Sequence, residues 1–165
     1  MAAEDVAACL GVFETHRPTL VLEWGAGGST VRFSRHPTVG RWHAIEHDRA
    51  WVEQVSLAAG ANVVVHHVPV ESDDYVLRPK RLGLAPDLVL VDGRRRNACL
   101  RLARDIVAAG GVVLLHDACR ARYADGMAAF GNRRVLTPGA AETRPVDRVQ
   151  AGGLYWHQGV TALYV

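Results

Sequence analysis

The stretch TLVLEWGAGGSTVRFSRH, residues 19–36, passes from an apolar, β-branched run through Glu23 and Trp24 into Gly25, Gly27 and Gly28. It continues through Ser29 and Thr30 into a short helical segment closed by Pro37. A strand, glycine loop and helix in succession let the backbone turn tightly and aim the free N–H groups of the next helical turn at an anion. Two common versions of this arrangement fit poorly. The dinucleotide pattern G-x-G-x-x-G needs glycine where Thr30 stands, and a P-loop needs a Lys followed by Ser or Thr. A nicotinamide dinucleotide site is therefore disfavoured.

Outward from this loop, β-branched runs alternate with segments of helical spacing. RWHAIEH (41–47) leads into DRAWVEQVSLAAG (48–60), and ANVVVHHVPV (61–70) leads into a polar, Pro-containing stretch over 71–86. DLVLVDG (87–93) precedes a helix expected near 95–109 with Cys99, Leu102, Ala103 and Ile106 on one face. GVVLLHD (111–117) precedes another near 120–130 carrying Tyr123, Met127 and Phe130. Ahead of them all, Val6, Cys9, Leu10 and Phe13 recur at helical spacing. Strands alternating with helices of this length predict an α/β fold, a doubly wound and mostly parallel sheet with helices on both faces. Gly60 and Gly110 are placed to end two of the helices in a left-handed conformation. After residue 131 the alternation stops, and RRVLTP, LYWHQ and VTALYV predict two or three further strands, a C-terminal antiparallel strand among them. One domain spanning residues 1–165 is expected.

Composition narrows the function classes. The apolar fraction of 49% and charged fraction of 22% are those of a soluble globular chain, and no apolar run is long enough for a bilayer. The acidic N-terminus is unlike a secretory signal, and Cys9, Cys99 and Cys119 form neither a CxxC pair nor an even set, so a cytoplasmic location is expected. A net charge of +2 is too small to argue for nucleic acid, although Arg94, Arg95 and Arg96 stand together and Lys80 is the single lysine among nineteen basic residues.

In an open α/β sheet ligands bind outside the carboxyl ends of the strands. There the chain carries Glu23 to Ser29, Glu46 to Asp48, Asp92 to Arg94, and His116 with Asp117. Glu46 ends the second strand about twenty residues after Gly25, where a carboxylate accepts hydrogen bonds from both hydroxyls of a ribose. As a set, VLEWGAGGST, AIEHD and DLVLVDGR resemble the motifs of class I S-adenosylmethionine-dependent methyltransferases over residues 19–117. EWGAGGST, IEHD and VDGRRRNACL together are also similar to a branch of small-sugar or glycan O-methyltransferase-like proteins. The resemblance implies a Rossmann-like fold, with Gly25 and Gly27 along the methionine part of S-adenosylmethionine and Glu23 at its amino group. It further implies Glu46 on the ribose and His47 near the adenine. Ser29 and Thr30 either add hydroxyl contacts or cap the next helix.

A hydroxyl acceptor needs a base or a metal beside it. The metal-dependent O-methyltransferases that the chain resembles hold magnesium with acids at two strand ends, and Asp92 and Asp117 match two of those positions. Ala118 stands where their Asn ligand would follow, which argues against the ion. The alternative is His116 or Asp92 as general base, with His the side chain that accepts a proton nearest neutrality. Arg94 is placed to grip an acceptor carboxylate, such as that of a uronic acid, or to sit in solvent. His66 and His67, adjacent on a strand, face opposite ways and are assigned no site. HAIEH (43–47) matches the inverted zinc-protease pattern H-x-x-E-H, whose chemistry requires a helix; here the segment reads as a strand ending at Glu46 or His47, with Asp48 as the N-cap of the next helix. The expected activity is methyl transfer to oxygen of a small-molecule or carbohydrate acceptor, with a non-catalytic cofactor-binding module as the alternative. So short a chain leaves little for covering an acceptor, which favours a large acceptor, a homo-oligomer or partner subunit completing the pocket, or lost catalysis.

Overall fold

The computed structural model describes Met1 and residues 3–131, 133–137, 154–155 and 162–164. Five parallel strands form the centre of the sheet: β1 (Leu20–Trp24), β2 (Arg41–Glu46), β3 (Val63–His67), β4 (Leu88–Val91) and β5 (Val112–Leu115). Their spatial order is β3-β2-β1-β4-β5, so the winding reverses between β1 and β4. Both faces are covered. Val21, Trp42, Ala44, Leu88, Leu90, Val112 and Leu114 pack toward α1 (Ala3–His16), α2 (Gly28–Phe33) and α3 (Arg49–Ala58). Leu22, Trp24, Ile45, Val89, Val91, Val113 and Leu115 point the other way, toward α4 (Asp74–Arg81) and α5 (Arg96–Ile106). Burial on both faces explains why β4 and β5 read as unbroken apolar runs. Cys9 and Cys99 lie in opposite halves of the core.

Local chemistry sets the element ends. Asp48 caps α3 by accepting from the Trp51 N–H at 3.0 Å. Asp87, just before β4, accepts from the N–H groups of Thr19 and Leu20, both at 2.9 Å, and fixes the β1–β4 register at its start. α4 falls inside the polar stretch 71–86, to which the sequence pattern assigns no element. Pro79 in its last turn has no N–H to give the Tyr75 carbonyl four residues back, and the Trp24 indole takes that carbonyl at 2.9 Å instead. A proline that would weaken a solvent-exposed helix here leaves a socket for a β1 side chain.

The helix expected near 120–130 shrinks to a 3₁₀ turn at Ala121–Tyr123 and a single turn, α6 (Ala124–Met127). Gly60 does not take a left-handed conformation, and Gly110, at φ 79°, lies in the turn into β5 rather than at the end of α5. Beyond β5 the sheet continues as β8 (Ala162–Tyr164), β6 (Arg133–Thr137) and β7 (Leu154–Tyr155). β7 supplies the antiparallel partner, against β6, whereas β8 enters between β5 and β6 parallel to both. No helix among the described residues is long and apolar enough to cross a membrane.

Candidate active site

At the reversal point the carboxyl ends of β1 and β4 almost touch. Gly25 has φ 98°, and a Cβ placed on it would meet the Gly93 Cα and N at 2.6 Å. Any side chain there would be strained by its backbone angle and would drive the two strand ends apart. Above them opens a cleft of about 600 Å³, within the usual range for small-molecule sites. Gly25, Gly27 and Ser29 line it from the first loop, Glu46 and His47 from the end of β2, and Asp92 and Arg94 from the end of β4.

Glu46 is almost fully buried, at 4% exposure. Its Oε1 accepts from the N–H groups of His47 (2.7 Å) and Asp48 (2.9 Å), which pins the carboxylate, and His47 Nδ1 lies 2.6 Å from the same oxygen. Among the described residues no hydrogen bond engages Oε2. The segment HAIEH is β2 running into the Asp48 cap, not a helix, so the zinc-protease reading falls. His43 instead meets His66 from β3, Nδ1 to Nε2 at 3.0 Å, and burial lowers both pKa values. His67 Nε2 lies 3.1 Å from the His47 carbonyl oxygen.

Two residues expected at the cofactor, Glu23 and Thr30, are not among those lining the cleft. Side chains alternate along β1, so Glu23 faces the α1–α3 side with Val21. There its carboxyl accepts from the Ser29 and Thr30 hydroxyls and from the Trp42 indole at 3.1 Å. Burial raises its pKa to about 8, against the lowering effect of those hydrogen bonds. Thr30 Oγ1 also accepts the Gly27 N–H at 2.9 Å. The threonine in the third glycine position thus ties the loop down from within. Glu23 is committed to the loop's architecture rather than presented to a ligand.

The two residues that follow β5, His116 and Asp117, are drawn back from the cleft as well. His116 Nδ1 is 3.0 Å from Asp92 Oδ1, and its Nε2 is 3.5 Å from Asp5 Oδ2 on α1. The hydrogen bond to Asp92, with the charges of Asp92, Asp117 and Asp5, raises the His116 pKa against the lowering effect of burial. The imidazole faces Asp92 and Asp5 and does not line the cleft, which corrects the expectation of a base open to an acceptor. Asp117 sits at φ 58° and faces Arg96 at 3.6 Å and Arg120 at 3.1 Å.

Asp92, His116 and Asp117 could each bring one ligand atom to a common ion. Arg96 decides against magnesium. Its guanidinium donates to Asp92 Oδ1 at 2.8 Å and to the carbonyls of Asp92 (2.7 Å), Gly93 (3.0 Å) and His116 (2.5 Å), and its side chain is 10% exposed. With Arg120 it already balances both carboxylates, and magnesium demands an open octahedral set of oxygens. These residues do not fit that ion.

Sequence reasoning missed several contributors. Trp51, 43% exposed, lines the cleft and donates its indole N–H to the Ala26 carbonyl at 2.6 Å. Arg32 lines it from α2. Tyr75 on α4 accepts the Arg94 N–H at 3.0 Å and so holds the Asp92–Arg94 turn from below. The Arg94–Arg96 run was the one available signal for Arg96, and nothing in the residue order around Tyr75 marks it.

No protein-family model and no curated protein sequence matches the chain. Solved structures do. A functionally unknown protein from Deinococcus radiodurans R1 is similar at 17% identity and a TM-score of 0.60, over 83% of this chain and 63% of that one. Precorrin 8w decarboxylase from Methanobacterium thermoautotrophicum is 17% identical at a TM-score of 0.62, over 99% of this chain and 89% of that one. The methyltransferase MycE of the mycinamycin biosynthetic pathway, in complex with magnesium and S-adenosylhomocysteine, is 16% identical at 0.50, over 65% of this chain and 31% of that one. The chain thus spans less than two thirds of the first and the last of these. At such identities the likeness is one of fold alone, a Rossmann-like fold that the chain shares with several solved methyltransferases and with the decarboxylase.

Proposed function

We propose that the protein is an S-adenosylmethionine-dependent methyltransferase acting on a hydroxyl of a small-molecule or carbohydrate acceptor. The observation that carries this reading is Glu46: one oxygen is locked by two backbone N–H groups, the other is unengaged, and the residue borders a cleft floored by Gly25 and Gly93. A buried, fixed carboxylate with one free oxygen suits a ribose diol. The glycine floor admits a backbone-hugging ligand, and the exposed Trp51 indole offers a flat apolar wall for a base. Arg32, exposed and without a partner among the described residues, offers a charge for the amino-acid carboxylate.

Bound along Gly25, Gly27 and Glu46, S-adenosylmethionine would supply an electrophilic methyl for transfer to the acceptor oxygen, its sulfur keeping the electron pair of the broken bond. This chain's part is to align the acceptor and take its proton. Asp92 lines the cleft with Oδ1 held by Arg96 and His116, leaving Oδ2 to receive the hydroxyl proton. Arg96 and His116 hold Asp92 Oδ1 between them and orient the carboxylate. The same crowding supports a second reading, a cofactor-binding module without turnover, because Asp92 is the one carboxylate from the two strand ends that borders the cleft.

Calorimetric titration with S-adenosylmethionine against NAD tests the binding half: the sulfonium compound binds, and NAD does not. Asp92→Ala then separates the readings. With an acceptor in hand it abolishes S-adenosylhomocysteine formation while leaving cofactor affinity within a few-fold. Binding without product from any hydroxylated acceptor selects the module, and NAD binding in preference overturns both.

A further inference from the structure

A second cavity, of about 690 Å³, adjoins the cleft and shares Gly93, Arg94 and Arg96 with it. Six arginines line it: Arg94, Arg95, Arg96, Arg101, Arg120 and Arg122. Asp125 is its one acidic residue among those described. In a chain of net charge +2 this is a sharply local concentration of positive charge. Most of it is compensated. Arg95 pairs with Asp73 at 3.1 Å, Arg96 with Asp92 at 2.8 Å, Arg120 with Asp117 at 3.1 Å, and Arg101 with Asp125.

Two guanidinium groups are left over. Arg94 has no side-chain partner among the described residues, and Arg122 donates only to the Tyr123 hydroxyl at 2.9 Å while stacking on its ring. Besides these, the Nε of Arg120 is buried without a hydrogen-bond partner. Two uncompensated arginines in one concavity fit an oxyanion, because the planar guanidinium fork grips carboxylate or phosphate in bidentate fashion.

We infer that this arginine-lined cavity is the acceptor subsite, and that the methyl acceptor is a small molecule carrying a carboxylate or phosphate group beside its hydroxyl. The inference rests on the methyl-transfer reading. The shared wall of Gly93, Arg94 and Arg96 puts an anion held in the second cavity next to the cleft that Asp92 borders. The concavity and the four internal ion pairs that shape it favour a compact anion over a polymer backbone, which would track an open basic stripe.

The full-length chain is titrated with pyrophosphate and, separately, with D-glucuronate at 0.15 M salt, with and without S-adenosylhomocysteine. The variants are Arg101→Gln/Arg122→Gln, both exposed positions, and Arg49→Gln on α3 as a charge control. At least one anion binds the native chain with one-to-one stoichiometry, the pair distinguishing phosphate from carboxylate. The double variant weakens that binding at least about tenfold while the control does not. S-adenosylmethionine affinity and melting temperature stay level in all three proteins. Absence of binding by both anions, or equal weakening in the control, overturns the inference, as does tighter binding of a single-stranded oligonucleotide that the double variant loses. Cofactor binding without anion binding overturns the subsite alone. Anion binding without cofactor binding overturns the methyl-transfer reading, and the acceptor assignment with it.

Discussion

Glu23→Gln tests the internal clamp of the glycine loop. The carboxyl is fully buried, and burial moves its pKa from an ordinary 4.5 to about 8. A raised folded pKa means that the stabilising protonation is fully effective below the unfolded value and is lost as pH rises through the folded one. Between pH 5 and 8 the unfolded chain has released this proton while the folded chain retains it, so stability falls across that window and levels off above it. At ~1.4 kcal/mol per pH unit the window is worth roughly 4 kcal/mol, an upper bound because water penetration and relaxation reduce it. Glutamine keeps the shape, stays neutral throughout, and can still accept from a hydroxyl. Urea unfolding of both proteins at pH 5, 6, 7 and 8 isolates the residue, since the histidines titrate in both. The variant gains on the native protein by roughly 2–4 kcal/mol from the lowest to the highest pH. A difference constant to within about 0.5 kcal/mol would refute the reasoning, for Glu23 would then be ionised in the folded state at pH 5.

Three other outcomes follow from the same geometry. Gly25→Ala, which combines a left-handed backbone with a 2.6 Å clash against Gly93, destabilises by roughly 3 kcal/mol or more and removes cofactor binding; a melting temperature equal to the native one contradicts the close approach of β1 and β4. Arg96→Met strips the buried partner from Asp92 and costs about 3–5 kcal/mol, and Asp92 and Asp117, each then short of one cation, draw a melting-temperature rise from magnesium that the native chain lacks; a magnesium response in the native chain instead reverses the metal argument. The raised His116 pKa contributes stability that is fully present below the unfolded value near 6.5 and lost as pH rises through the folded value. The stability difference between the native chain and His116→Gln therefore shrinks from pH 6 toward pH 9, and a flat difference removes the imidazolium from behind Asp92.

The parallel core, its two covered faces and the reversal at the glycine loop were legible in the residue order, because strand and helix periods and turn glycines are local properties. So was the position of Glu46 at the end of β2, set by the strand end and the Asp48 cap that follows. Glu23 was legible in principle, since period-2 alternation along β1 puts it on the side of Val21, yet its partners came from Trp42 on the neighbouring strand and from the folded-back Thr30. α4 stayed hidden because its proline argues against a helix until Trp24 arrives to use the freed carbonyl. The orientation of His116 and the central position of Arg96 depend on groups far apart in the chain meeting at one sheet edge: Asp5 from the first helix, Asp92 and Asp117 from two strand ends. A residue's type and local period say which way it leans, but the charge it finally faces is set by which distant elements the packed core brings alongside it.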